Sequence, residues 1–142
     1  MPLMQDALAA GRNVIFSPMG LSMLPMLRQG IDTVTLSPLP ERVKKYDLIL
    51  YQRDNGKYVL HRIIDVGDTF TCMGDNQTIP EPNLRKDQMI AVVTAFTRGR
   101  RTIPTTYLGY QIYCRVWVGI IPVRKLFRQV KNRLKRVLYT TK

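Results

Sequence analysis

Asp47-Leu48-Ile49-Leu50-Tyr51-Gln52, then Arg53-Asp54-Asn55-Gly56, then Lys57-Tyr58-Val59-Leu60-His61-Arg62-Ile63-Ile64-Asp65-Val66: two apolar runs flank an Asn-Gly pair. Asn and Gly tolerate the positive φ angles that a tight hairpin turn needs, so the stretch predicts a β-hairpin. The first run reads as a buried strand and the second as its partner. Outward from the hairpin the same signals recur. Thr69 to Met73 predicts a further strand, and Gly74-Asp75-Asn76 turns away from it. Met89 to Phe96 predicts another. Upstream, Asn13 to Phe16 suits a short strand, and Asp32 to Leu36 alternates and is rich in β-branched residues. Ser37 to Glu41, with two prolines, reads as a loop. Met4 to Ala10 predicts a short helix, and Met26 to Gly30 a single helical turn. Short strands separated by Gly, Pro and Asn turns predict a mostly β domain with coiled or barrel-like antiparallel sheets.

A chain of 142 residues is long enough for one domain with a core of its own. Its formal net charge is +12, which favours anionic partners: lipid headgroups, nucleic acid or acidic protein surfaces. Two cysteines, Cys72 and Cys114, are too few for a disulfide framework. Met1 to Asn13 lacks the apolar run of a signal peptide. No stretch reaches the ~18 uncharged apolar residues of a membrane span. The nearest, Tyr107 to Val123, carries Arg115 in its middle. The expected location is therefore cytoplasmic or peripheral at a membrane. One histidine and two distant cysteines cannot close a zinc site, and no Gly-rich phosphate loop is present, so no metal or cofactor is expected.

Chemistry concentrates in three places. Gly20-Leu21-Ser22-Met23-Leu24-Pro25 sets a serine on a tight apolar turn. His61, the single histidine, lies within the second strand of the hairpin. Asp75 sits at a strand exit. A serine hydroxyl is a poor nucleophile until a base takes its proton, and a neutral imidazole is the side chain best matched to do so near pH 7. A carboxylate would orient that imidazole and stabilise the imidazolium. The plain alternatives are a buried structural serine, a core histidine and a turn aspartate bonding its own backbone.

Together these stretches resemble signal peptidase I and its LexA-repressor-like relatives. The resemblance rests on Gly20-x-Ser22-Met23-x-Pro25, Gly30-x-Asp32, Tyr46-Asp47-Leu48-Ile49, Val59-Leu60-His61-Arg62-Ile63 and Gly74-Asp75-Asn76, in that order. It covers roughly Val14 to Thr97. Histidine where many members carry a lysine base is similar to the eukaryotic, archaeal and spore-former signal peptidases. The resemblance implies a serine endopeptidase with Ser22 as nucleophile, His61 as general base and Asp75 as the group that orients it. It also implies a substrate lying as an added strand, the Ser22 N–H in the oxyanion hole, and export or leader signals among the targets. The chain differs from the family in four ways. Gly20 stands where many members place a second oxyanion donor. Ile31 separates Gly30 from Asp32. Tyr46 replaces a glycine. Glu81 is the only acid near the position of a second acid after the Gly-Asp-Asn box. The residues before Ser22 hold no span, so such an enzyme is expected to reach a membrane by another route or to act on a soluble protein. Self-cleavage would need a cleavable segment before the domain.

Beyond residue 97 the chain turns basic, and 98–142 is read as an extension of a peptidase domain over 1–97. From Pro122, residues Val123, Leu126, Phe127, Val130, Leu134, Val137 and Leu138 fall at helical spacing on one face. Arg124, Lys125, Arg128, Lys131, Arg133, Lys135 and Arg136 fall on the other. A basic amphipathic helix of this kind suits an anionic membrane surface. Its plain alternative is a helix packed on the domain with a solvated basic back. Nucleic-acid binding is the poorest fit, because no recognised module surrounds the helix. The competing reading of the whole is a non-catalytic membrane- or nucleic-acid-binding module on a decayed peptidase scaffold.

Overall fold

The computed structural model describes residues 2–140. It is mostly β: one antiparallel sheet of eight strands with three α-helices. Helix α1 (Pro2–Ala9) leads into β1 (Val14–Phe16), then β2 (Val34–Pro38) and β3 (Leu48–Gln52). Strands β4 (Tyr58–Val66), β5 (Phe70–Met73), β6 (Glu81–Leu84), β7 (Met89–Arg98) and β8 (Arg101–Pro104) follow, then α2 (Leu108–Gly119) and α3 (Ile121–Thr140). The strand order is β1-β2-β7-β3-β4-β5-β6. Strand β8 pairs with β7 further along, opposite Ala95 to Arg98, where β3 no longer runs.

The predicted hairpin is the centre of the sheet. β3 and β4 pair with Ile49 opposite His61 and Tyr51 opposite Val59, and Asn55 closes the turn by accepting the Lys57 N–H. Successive side chains on a strand point to opposite faces. Leu48 and Leu50 of β3 and Leu60 of β4 therefore join a core with Met23, Met26, Leu27, Leu36 and Val93. Ile49, Tyr51 and Ile63 join a second with Cys72, Leu84 and Met89. Covered on both faces, β3 reads as an unbroken apolar run.

Four expectations differ from what is found. The helical turn over Met26 to Gly30 is absent; the chain turns instead at Ser22 to Met26, where the Leu27 N–H reaches the Met23 carbonyl. The loop from Ser37 begins later, since β2 runs through Pro38. Strands β6 and β8 went unforeseen, as each holds a proline, which removes a ladder donor and masks the strand pattern. Finally, the boundary expected after residue 97 falls inside β7. Tyr110 and Cys114 of α2 are buried in the same core as Met26 and Leu50, so residues as far as α2 belong to one domain and only α3 extends from it.

Candidate active site

Ser22 is held by hydrogen bonds from the Gly-Asp-Asn box. Asn76 donates its backbone N–H to the Ser22 carbonyl at 2.8 Å and its side-chain amide to the Leu21 carbonyl at 3.1 Å. The two loops pass so closely that a Cβ on Gly74 would lie 2.5 Å from the Ser22 carbonyl oxygen. Gly20 adopts φ +88°, a left-handed conformation that glycine enters without steric cost. Asp32, fully buried, takes both the side-chain fork and the backbone N–H of Arg28, which fixes the far side of the serine loop. That pairing holds the Asp32 carboxyl below its ordinary value.

Ser22 and His61 line one cavity of about 410 Å³. Phe16 of β1, Gly20, Arg53, Leu60 and Gln77 are also in its wall. No hydrogen bond joins the serine hydroxyl to the imidazole; the bonded neighbour of His61 is the Tyr51 hydroxyl, 3.3 Å from Nδ1. Burial lowers the His61 pKa to about 4, with nearby Glu81 working against the shift. The imidazole is therefore neutral at pH 7, with burial disfavouring its protonated form.

The expected pairing of Asp75 with His61 is not found. Asp75 does not hydrogen-bond His61. Its carboxylate receives Nε and Nη2 of Arg62, each at 2.9 Å, and the Tyr113 hydroxyl at 2.7 Å. The reason lies in strand alternation: His61 and Arg62 are consecutive on β4 and project to opposite faces. Arg62 goes toward α2, where it also donates to the Tyr110 hydroxyl at 2.8 Å, and Asp75 follows it. The acid beside His61 is Glu81, whose Oε2 lies 3.9 Å from Nδ1. Tyr51 connects the two by donating its O–H to Glu81 at 2.5 Å. Since that proton is committed to the carboxylate, the Tyr51 oxygen is left to accept from His61. The proton of neutral His61 is thereby placed on Nδ1, and Nε2 keeps its lone pair. Arg53 closes the chain with a two-pronged bond to Glu81 at 2.8 and 3.0 Å. It is the principal cause of the lowered Glu81 pKa, so this acid stays ionised. Burial raises the Tyr51 pKa, which keeps its hydroxyl protonated.

Sequence reasoning singled out Ser22 and His61 and noted Glu81 only as a substitute acid. It missed Tyr51, Arg53 and Gln77. Tyr51 and His61 are diagonal neighbours across the hairpin, a relation the Asn-Gly turn encodes once the register is known. Gln77, a residue of the cavity wall, accepts the Gly74 N–H through its side-chain oxygen at 3.1 Å. Both thiols are buried, and burial pushes the Cys72 pKa up to about 12, so that cysteine is no nucleophile. Among the described residues, no cluster of His, Cys, Asp and Glu could hold a metal ion. No family model, no curated protein and no solved structure matches the chain.

Proposed function

We propose that this protein is a serine endopeptidase of the signal-peptidase kind, with the coiled β fold of that family's catalytic domain. One observation carries the reading: Ser22 and the single, neutral histidine line one cavity, with a tyrosine and an ionised glutamate behind the histidine's Nδ1. His61 Nε2 takes the Ser22 proton as the hydroxyl attacks the scissile carbonyl, then returns it to the leaving amine. Glu81, acting through Tyr51, holds the tautomer and stabilises the imidazolium as it forms. The Ser22 N–H receives the oxyanion, and the Gln77 amide supplies the second donor that Gly20 lacks; each such donor contributes roughly 3 kcal/mol. Asp75 serves the fold rather than the proton path. The substrate is an extended segment, an export or leader signal by resemblance. It adds to the edge of β1, which among the described residues pairs only with β2 and which contributes Phe16 to the cavity wall.

Precursor peptides incubated with the protein test this directly. Cleavage is expected for the native chain and loss of at least a thousandfold for Ser22→Ala and for His61→Ala, with thermal unfolding retained. If either variant turns over normally, that residue has no catalytic role. The missing bond between Ser22 and His61 favours a second reading, a binding module that holds an extended peptide without cutting it. Under it, peptides bind equally to the native chain and to Ser22→Ala, and neither produces fragments.

A further inference from the structure

An amphipathic helix that belongs to a water-soluble core turns its apolar stripe inward. Helix α3 does the opposite. Val123, Leu126, Phe127, Val130 and Leu134 share one stripe and are 65%, 61%, 71%, 48% and 59% exposed. The helix touches the domain through its basic flank. Arg124 donates to the carbonyls of Asp75 at 2.9 Å and Gln77 at 3.3 Å, and Arg128 donates to the Asn76 carbonyl at 3.0 Å. Arg124 also stacks over the Trp117 ring, 4.4 Å from its centre. The plain alternative, a helix packed by its apolar face, is thereby overturned. Helix α2 buries Tyr110 and Cys114 in the core but also leaves Leu108, Ile112 and Val116 exposed at four-residue spacing.

Charge identifies what covers this surface. Residues 1–87 hold ten basic and ten acidic side chains, while residues 88–142 hold twelve basic and no acidic ones. The whole net charge therefore lies in the part that ends in α3. A second copy would bring two uniformly cationic helices together, and like charges oppose that pairing. Lysines and arginines bordering an apolar stripe suit a different cover: their long stems lie along it while their heads reach phosphates at the same level. Among the described residues, no helix is long and apolar enough to cross a bilayer. We infer that α3 lies on the surface of an anionic bilayer and attaches the domain to it. Arg124 and Arg128 grip the same loop that holds Ser22, so the bilayer would fix the attitude of the cavity. Membrane attachment by α3 does not depend on catalysis by Ser22.

Flotation of the full chain with lipid vesicles tests the inference. Vesicles of equal parts phosphatidylglycerol and phosphatidylcholine are expected to carry the protein, and those of phosphatidylcholine alone to leave it behind. Lys125→Gln with Lys131→Gln should weaken binding roughly thirtyfold at low salt, and added salt should weaken it further. Phe127→Ser with Leu134→Ser should release the protein; both positions are exposed, and an unchanged thermal midpoint verifies the fold. Indifference to lipid charge overturns the inference, as does full binding by the Phe127/Leu134 variant. So does a native dimer that this variant splits while vesicles fail to bind. Capture by duplex DNA with no vesicle binding also overturns it and assigns the surface to nucleic acid.

Discussion

At Gly74 the missing side chain is what lets two loops meet. A Cβ there would come within 2.5 Å of the Ser22 carbonyl oxygen, 3.0 Å of its Cβ and 3.1 Å of the Gln77 side-chain oxygen. The first obstacle is backbone and cannot rotate away. Gly74→Ala is expected to cost about 1–3 kcal/mol, the usual range for overpacking. It should lower turnover further still, because separating the loops moves Ser22 away from His61. Gly20→Ala is the control. Its φ of +88° strains an alanine, but no atom lies within 4 Å of the new Cβ. About 1 kcal/mol of strain is expected there. Urea unfolding and peptide turnover on the two variants separate the effects; equal losses of turnover would show that the Gly74 contact does not position the serine. Ser22 and His61 stand out in the sequence as a serine on a tight turn and the single histidine, and the fold sets both in the lining of one cavity. Glu81 and Tyr51 were not legible, because their relation to His61 depends on strand pairing and on where β6 begins.

On β4 a single residue step separates the surroundings of His61 from those of Arg62. His61 faces Tyr51 and Glu81, while the guanidinium of Arg62, fully buried, is satisfied by Asp75, Tyr110, the Tyr46 carbonyl and the sulfurs of Cys114 and Met26. Arg62→Met would strand the buried Asp75 carboxylate, with Tyr113 as its remaining side-chain donor. A loss of about 3–5 kcal/mol is expected, the usual cost of removing one member of a buried pair. Arg62→Met with Asp75→Asn should recover much of it, since the uncompensated charge is gone. Guanidinium melts on the single and double variants check this; additive losses would mean that the two groups do not act as a pair. The same buried pair explains why Asp75 was misjudged from sequence. A carboxylate after a strand exit has two candidate partners on adjacent residues, and only the strand's facing decides between them. The hairpin was legible from an Asn-Gly turn between two apolar runs, and α3 from its uninterrupted helical period. Strand β6 was hidden by Pro82, β8 by Pro104, and α2 by an apolar run that carries no clear amphipathic stripe.

For the molecule as a whole, the single histidine makes acid stability diagnostic. His61 has a folded pKa of about 4, against an ordinary 6.5. Between those values the unfolded chain binds a proton that the folded chain refuses, so stability falls as pH falls. The full shift corresponds to about 3 kcal/mol between pH 7 and pH 4. Asp32 and Glu81 are held below their ordinary values of 3.8 and 4.5, so their stabilising contribution is lost only once the pH drops beneath those values. Asp47 is raised by burial and opposes the loss, since its folded carboxyl takes up a proton sooner than the unfolded one. Between pH 6.5 and 4.5, then, the His61 imidazole drives a decline. Denaturant midpoints across that window should fall steadily for the native chain and stay nearly level for His61→Gln. Because the folded imidazole remains neutral down to about pH 4, turnover on a peptide substrate should hold wherever the fold holds, rather than fade near pH 6.5. A native chain whose turnover halves near pH 6.5 while its fold stays intact would place His61 in solvent contact, and the buried Tyr51–Glu81 arrangement could not then be what sets its protonation.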